Sequence, residues 1–171
     1  MKVTLYGKEY ELENIDCIRI GGKVIGIDKK CWLEVVENGV ATKIEGTNTI
    51  GKAASVEALK KIMDQLKDKG SYVIDSNKDF LINIDKAEKV EFYENLSLLG
   101  KKYFLRIKLN GKTFDTMHTY NKKRYEGIEE NFRRKENEKI AKKIAEINGD
   151  KKYSTLKQLK SNSKENDGRS N

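Results

Sequence analysis

The sequence of 171 residues contains no proline, only two cysteines and only one histidine. Cys17 and Cys31 are too few to build a disulfide framework. Together with His118, and without a Cys-x-x-Cys spacing, they provide too few ligands for a zinc site. A disulfide-stapled mini-protein and a metal centre are therefore excluded, whereas the absence of proline excludes no functional class.

Long apolar runs are missing as well. Residues 1–16 carry charges every few positions and lack the apolar segment that is typical of a signal peptide. The longest nearly apolar stretches, such as residues 24–27, are far too short to span a bilayer. We therefore expect a cytoplasmic protein with no membrane partner.

The motifs of common enzyme classes are also absent. The sequence has no phosphate-binding Gly-x-x-x-x-Gly-Lys-Ser/Thr loop, no dinucleotide-binding Gly-x-Gly-x-x-Gly and no Gly-x-Ser-x-Gly elbow. Cys31 leads into a predicted strand and His118 lies in a hydroxyl-rich loop, which is typical of a packed cysteine and a surface histidine rather than of a nucleophile and its base. We predict no enzymatic activity, no small-molecule substrate and no cofactor.

Positive charge is concentrated near the C-terminal end. The formal net charge is +8, and residues 121–171 hold 15 Lys and Arg against 9 Asp and Glu, a balance of +6. A basic segment next to a nearly neutral body is typical of a protein that binds nucleic acid or another polyanion, although a solubilising tail has the same composition. Only six of the 35 basic residues are Arg, which favours phosphate contacts by Lys over bidentate recognition of guanine.

The first half of the chain predicts hairpins followed by a helix. Alternating apolar residues and glycine-bearing turns, at Gly7-Lys8 and Gly22-Lys23 among others, predict antiparallel strands over residues 3–44. The strongest turn signal is Asn38-Gly39, because both residues tolerate the positive φ angles of a type I′ turn. Ser55 then provides an N-cap for a helix predicted over about 56–68.

The second half repeats this plan at an offset of 72 residues. The offset places Asn110-Gly111 on Asn38-Gly39 and Phe104 on Trp32, and it predicts hairpins over residues 72–115. An internal duplication explains this similarity. Two unrelated hairpins with an Asn-Gly turn explain it equally well, because the matched positions are mostly generic strand residues.

A long charged helix is predicted from about residue 124 to 147. Its apolar stripe lapses between Arg133 and Glu138, which indicates docking at one end only or pairing with a partner. Residues 148–171 are rich in Lys, Ser and Asn and predict a disordered basic tail. The predicted fold is therefore α+β: antiparallel β-hairpins in two similar halves, a mid-chain helix and a long C-terminal helix in one domain over residues 1–147, then the tail.

Basic, polar loops at strand ends provide the candidate binding residues. Asn, Thr and Lys suit phosphate and sugar contacts, and Lys or Asn can reach acceptor atoms on the floor of a narrow A·T-rich minor groove. Each loop alone is a weak signal, because lysines between strands are usually only solvated, but the loops recur. The predicted DNA-binding residues are Lys52, Asn77, Lys78, Lys101, Lys102, Asn121, Lys122, Lys123 and Arg124.

Parts of the chain over roughly residues 40–135 resemble the competence transcription factor family, ComK. The similar segments are Gly51-Lys52, the loop and strand over residues 75–81, the Asn-Gly-Lys-Thr hairpin over residues 110–113, and Tyr120-Asn121. The resemblance implies an activator of gene expression that works as an oligomer and recognises double-stranded A/T-rich promoter DNA, largely through the minor groove. It suggests binding roles for Lys52, Asn77 and Asn121.

The chain also resembles the LytTR-type DNA-binding domain. Residues 12–16 are similar to the opening of that domain, and residues 80–85 are similar to a strand with an internal Asn. That family is β-rich with a mid-domain helix and reads DNA through loops, to which Lys78 would correspond in place. Both resemblances imply a sequence-specific DNA-binding protein.

One alternative from a different functional class fits the same sequence. No helix-turn-helix and no aromatic RNA-binding platform is evident. A β-rich protein-interaction module, whose basic tail keeps it soluble or engages an acidic partner, therefore remains an alternative to the DNA-binding regulator.

Overall fold

A computed structural model describes the backbone of residues 1–167 and the side chains of residues 1–150. The chain divides into two compact units, Met1–Phe132 and a second unit that begins at Arg133. No helix among the described residues is long and apolar enough to cross a membrane.

The first unit contains eleven strands, which pair antiparallel throughout, and a mid-chain helix. In chain order, the helices and strands of the described residues are β1 (Lys2–Leu5), β2 (Lys8–Glu11), β3 (Ile15–Ile25), β4 (Asp28–Glu37), β5 (Val40–Lys43), β6 (Thr49–Ile50), α1 (Ala53–Leu66), β7 (Tyr72–Ile74), β8 (Phe80–Asn83), β9 (Lys89–Ser97), β10 (Gly100–Leu109), β11 (Lys112–Asp115) and α2 (Lys123–Asp167). The predicted α+β class, with hairpins in both halves, a mid-chain helix and a long C-terminal helix, is confirmed.

The helix boundaries differ from those predicted. Helix α1 begins at Ala53, so Ser55 lies inside its first turn, where it is buried and its Oγ lies 2.9 Å from Thr49 Oγ1 instead of capping the helix. Helix α2 continues through Gly149 to Asp167, because an isolated glycine costs a helix only about 1 kcal/mol and does not end it. Of the predicted disordered tail, residues 168–171 lie outside the described residues, and the disorder stays a prediction.

The predicted turn at Gly22-Lys23 is wrong. Strand β3 runs through both glycines, and the turn of this hairpin lies at residues 26 and 27. Gly21 serves packing instead, because a Cβ at this position would lie 2.5 Å from Nε1 of Trp32. Gly21 therefore leaves room for the indole ring of Trp32 beside the backbone of β3.

The strands form three sheets with two hydrophobic cores. The central six-stranded sheet has the order β5-β4-β3-β8-β7, with β6 added to β4, and the other sheets are β1-β2 and β11-β10-β9. Neighbouring residues of the central sheet point to opposite faces. Thus Ile18 and Leu81 belong to a core with α1 and the β1-β2 hairpin, whereas Cys17 and Ile82 belong to a core with β9, β10 and the start of α2.

The structure confirms the repeat as a structural one. At the offset of 72 residues, β2, β4 and β5 coincide end for end with β8, β10 and β11. Asn38 and Asn110 both have positive φ angles, of 47° and 50°. The N–H of Gly39 donates to Asp16, and the N–H of Gly111 donates to the matching residue Glu88.

Each half also has a row of three charged residues on neighbouring strands, and every charge in one row has the opposite sign in the other. Each row lies on three paired strands, so that its central residue is flanked by opposite charges on both sides. The rows are Arg19, Glu34 and Lys43 in the first half, and Glu91, Arg106 and Asp115 in the second. The two rows therefore have opposite charges at each of the three corresponding positions.

Candidate nucleic-acid interface

The loop between β7 and β8 is held in one conformation by a buried carboxylate. Asp75 is 4% exposed and accepts hydrogen bonds from the backbone N–H groups of Asp79 at 2.8 Å, Phe80 at 2.8 Å and Asn77 at 3.3 Å. This arrangement is an extended form of the turn that aspartate side chains make with their own backbone. Lys78 adopts a left-handed φ of 58° at the tip. The loop therefore presents the exposed side chains of Asn77 and Lys78 from a fixed frame.

Lys52 is the predicted residue that meets this loop most closely. Its Nζ donates to the backbone oxygen of Asn77 at 2.6 Å and lies 2.6 Å from Oδ1 of Asp79. Both side chains of the ion pair are more than a third exposed, so the pair adds little to stability. Lys52 fixes the position of the loop, but Asp79 already neutralises its charge.

A groove of about 350 Å³ brings Lys78 together with Arg124, which lies 46 positions further along the chain. The groove lies among α1, β7 and the first turns of α2, and its floor is mostly apolar. The hydroxyl of Tyr125 donates to the backbone oxygen of Met117 at 2.8 Å, which anchors the start of α2 beside it. All lining residues found among the described residues are apolar, aromatic or basic: Lys60, Met63, Tyr72, Val73, Ile74, Lys78, Met117, Arg124, Tyr125 and Ile128.

The predicted residues at the start of α2 have several roles. Oδ1 of Asn121 accepts the backbone N–H of Lys123 at 3.1 Å, as a helix cap does. Lys122 lies 3.6 Å from Glu126, and the guanidinium of Arg124 lies 5.4 Å from the ring centre of Tyr125. Asn121 thus has a structural role in the free protein, while Lys123 and Arg124 present charge from the first turn.

The structure places Lys101 and Lys102 in strand β10 rather than in a turn, because the hairpin continues to Ser97 and Gly100. A hydrogen bond to Glu94, at 2.6 Å, raises the pKa of Lys101. Nζ of Lys102 lies 5.3 Å from the ring centre of Tyr120. Lys102 therefore lies beside the segment that leads into α2.

Sequence reasoning missed two basic features. Lys60, on α1, lines the groove with Lys78 and Arg124, but its Nζ is bonded to Glu57 at 2.9 Å. Lys23, Lys29 and Lys30 form an exposed basic cluster near the turn of the β3-β4 hairpin. The helical position of Lys60 gave no signal, because its proximity to Lys78 depends on how α1 packs.

The nucleophilic and basic side chains are placed as predicted. Cys17 and Cys31 are buried, and burial, with a smaller effect of Asp16, raises the pKa of Cys17 to about 12. The exposed ring of His118 stacks on Phe104 with ring centres 4.5 Å apart. At neutral pH the Cys17 thiol therefore stays protonated.

Comparison with known proteins gave no relative: no family model, no curated protein and no solved structure matches this chain at a significant level.

Proposed function

We propose that this protein is a sequence-specific DNA-binding transcriptional regulator of the ComK-like type, which recognises A/T-rich promoter DNA. The observation that carries the proposal is the pinned loop with Asn77 and Lys78, which shares a groove with Arg124. A recognition surface needs side chains on a rigid frame, because ordering a mobile loop on binding weakens affinity.

The residues of this surface suit different parts of a duplex. Lys78, Lys123 and Arg124 carry positive charge for phosphate contacts, which position a protein without reading sequence. The amide of Asn77 can donate to the acceptors that A·T pairs present in the minor groove. Its side chain is exposed, and its backbone groups are already bonded to Asp75 and Lys52.

A pair of charge-matched double variants tests the surface. Lys78→Ala/Arg124→Ala removes two cations at the groove, and Lys2→Ala/Lys8→Ala removes two exposed cations from the β1-β2 hairpin. We expect the groove variant to lower the magnitude of the log-affinity against log-salt slope by about 0.9 for each lost phosphate contact, while the control keeps the wild-type slope. Fluorescence anisotropy titrations with an A/T-rich duplex at several salt concentrations measure the slope for both double variants.

Asn77→Ala tests base recognition separately from charge. We expect it to remove about 1–3 kcal/mol of discrimination between A/T-rich and G/C-rich duplexes and to leave the salt slope unchanged. If the wild type and all of these variants bind the duplexes equally well, the DNA interface does not include the loop between β7 and β8.

The groove also favours one alternative. Met63, Met117 and Ile128 give it an apolar floor beneath basic residues, which suits an amphipathic acidic segment of another protein. If the chain is a protein-interaction module, Met63→Ser will weaken binding of such a peptide in the same assay, and no duplex will bind.

A further inference from the structure

Both long hairpins end in aliphatic side chains that lie in solvent. We define finger 1 as residues 23–30, at the turn between β3 and β4, and finger 2 as residues 95–102, at the turn between β9 and β10. In finger 1, Val24 is 69% exposed and Ile27 is 102% exposed. In finger 2, Leu96 is 85%, Leu98 107% and Leu99 85% exposed.

The structural repeat shows that these apolar tips are not scattered surface residues. At the offset of 72 residues, Val24 corresponds to Leu96 and Ile27 corresponds to Leu99. The corresponding charge rows have opposite signs in the two halves, whereas both halves have aliphatic residues at positions where hairpin turns normally carry polar ones. Exposed apolar clusters of this kind mark contact with a partner or a membrane.

Three lysines lie behind the tip of finger 1, and we call them the lysine collar: Lys23, Lys29 and Lys30. Lys23 pairs with Lys30 across the hairpin, and Lys29 pairs with Val24. None of these three lysines forms an ion pair within the part of the chain that the structure describes. Lys29 is level with Val24, two residues from Ile27, and the Lys23–Lys30 pair lies one residue further back, which at about 3.3 Å per residue puts the charges about 7–10 Å behind Ile27.

We propose that, contrary to the expectation from the sequence, each finger inserts its tip into the interface of a bilayer that contains anionic lipids, which requires no helix that crosses the membrane. An inserted element buries its apolar side chains about 5–10 Å deep, at the boundary between headgroups and acyl chains. The collar of finger 1 then lies at the level of the anionic headgroups, where each lysine is attracted to the surface. Finger 2 has a larger apolar tip, while its Lys101 is bound to Glu94.

The distribution of apolar and charged side chains on finger 1 favours a bilayer as the partner over DNA or a second copy of this chain. Val24 and Ile25 point to opposite faces of finger 1, where they lie opposite Lys29 and Asp28, so each face of the tip carries one aliphatic and one charged side chain. The interface of a bilayer surrounds an inserted tip on both faces. A side chain that wedges between two base pairs needs an apolar surface only where it enters the stack. A second copy of the chain would bring one lysine collar against another, and like charges repel.

Vesicle co-sedimentation of the full chain tests the proposal. We expect the chain to sediment with vesicles of phosphatidylcholine and phosphatidylserine, and more weakly with vesicles of phosphatidylcholine alone. We expect Val24→Ser/Ile27→Ser and Leu98→Ser/Leu99→Ser each to lower the partition coefficient at least about tenfold, since each removes two inserted aliphatic groups. These side chains pack against little in the folded chain, so thermal unfolding should be unchanged.

Val40→Ser is the matched control. Val40 is also exposed, at 67%, but it pairs with Glu37 and has no lysine collar. It should leave vesicle binding unchanged. Because the basic segment over residues 121–171 is the same in the finger variants and in Val40→Ser, its own attraction to lipid cancels in that comparison.

Three results would overturn the proposal: no sedimentation of the wild type with anionic vesicles, equal sedimentation of the finger variants and the wild type, or loss of binding to an A/T-rich duplex in the finger variants with vesicle binding intact. The last result would identify the tips as DNA wedges. Lys78→Ala/Arg124→Ala should keep wild-type vesicle binding, so this test and the test of DNA binding can fail separately.

Discussion

Glu34 shows at the scale of one residue how the central sheet keeps a partly covered charge. Its side chain is 17% exposed and accepts hydrogen bonds from Nε of Arg19 at 2.7 Å and from Nε1 of Trp32 at 2.8 Å. Burial opposes the charge, but these two donors and the positive charge of Arg19 outweigh it and lower the pKa of Glu34. The carboxylate therefore stabilises the fold while it is ionised.

Glu34→Gln should lower the free energy of unfolding at neutral pH by about 1–2 kcal/mol, because the charge-assisted part of both hydrogen bonds is lost. Since the pKa is lowered in the folded state, the contribution of Glu34 is complete above its ordinary pKa of 4.5 and disappears as the pH falls through the folded value. Urea unfolding from pH 7 to pH 3 should show the gap between wild type and variant closing in acid. A gap that stays constant would contradict this account.

At the scale of elements, the two Asn-Gly turns share one backbone geometry. Gly39 and Gly111 have φ angles of 83° and 74°, and an added Cβ would meet nothing within 4 Å at either position. Any cost of a side chain there is therefore backbone strain rather than a clash. The sequence predicts these turns correctly because their chemistry is local to two residues.

Gly39→Ala and Gly111→Ala should each lower the free energy of unfolding by about 1–2 kcal/mol, and by similar amounts. Gly127→Ala is the control, because Gly127 lies in α2 without a positive φ or a close neighbour. That substitution should raise stability by up to about 1 kcal/mol. Chemical denaturation of the three variants measures all three effects. A large difference between the two turn variants would show that the hairpins are not equivalent.

At the scale of the whole molecule, the sequence predicts individual hairpins better than their arrangement. The Asn38-Gly39 turn depends on two adjacent residues, but the glycine at position 21 is explained by Trp32 and Glu34 on the neighbouring strand. In the candidate site, too, the sequence predicts single residues but not which of them lie close together. Lys78 and Arg124 are each visible as basic loop residues, but no local pattern places them in one groove, because their proximity depends on how α1, β7 and α2 pack.

The most direct test of DNA recognition is a fluorescence anisotropy titration of the full chain. It compares an A/T-rich with a G/C-rich duplex of equal length, at about 50 mM and about 200 mM salt. We predict that affinity for both duplexes falls with salt, and that the A/T-rich duplex binds about tenfold or more tightly at both concentrations, a difference of about 1.4 kcal/mol. Equal affinity for the two duplexes, or binding to neither, would contradict sequence-specific recognition of A/T-rich DNA.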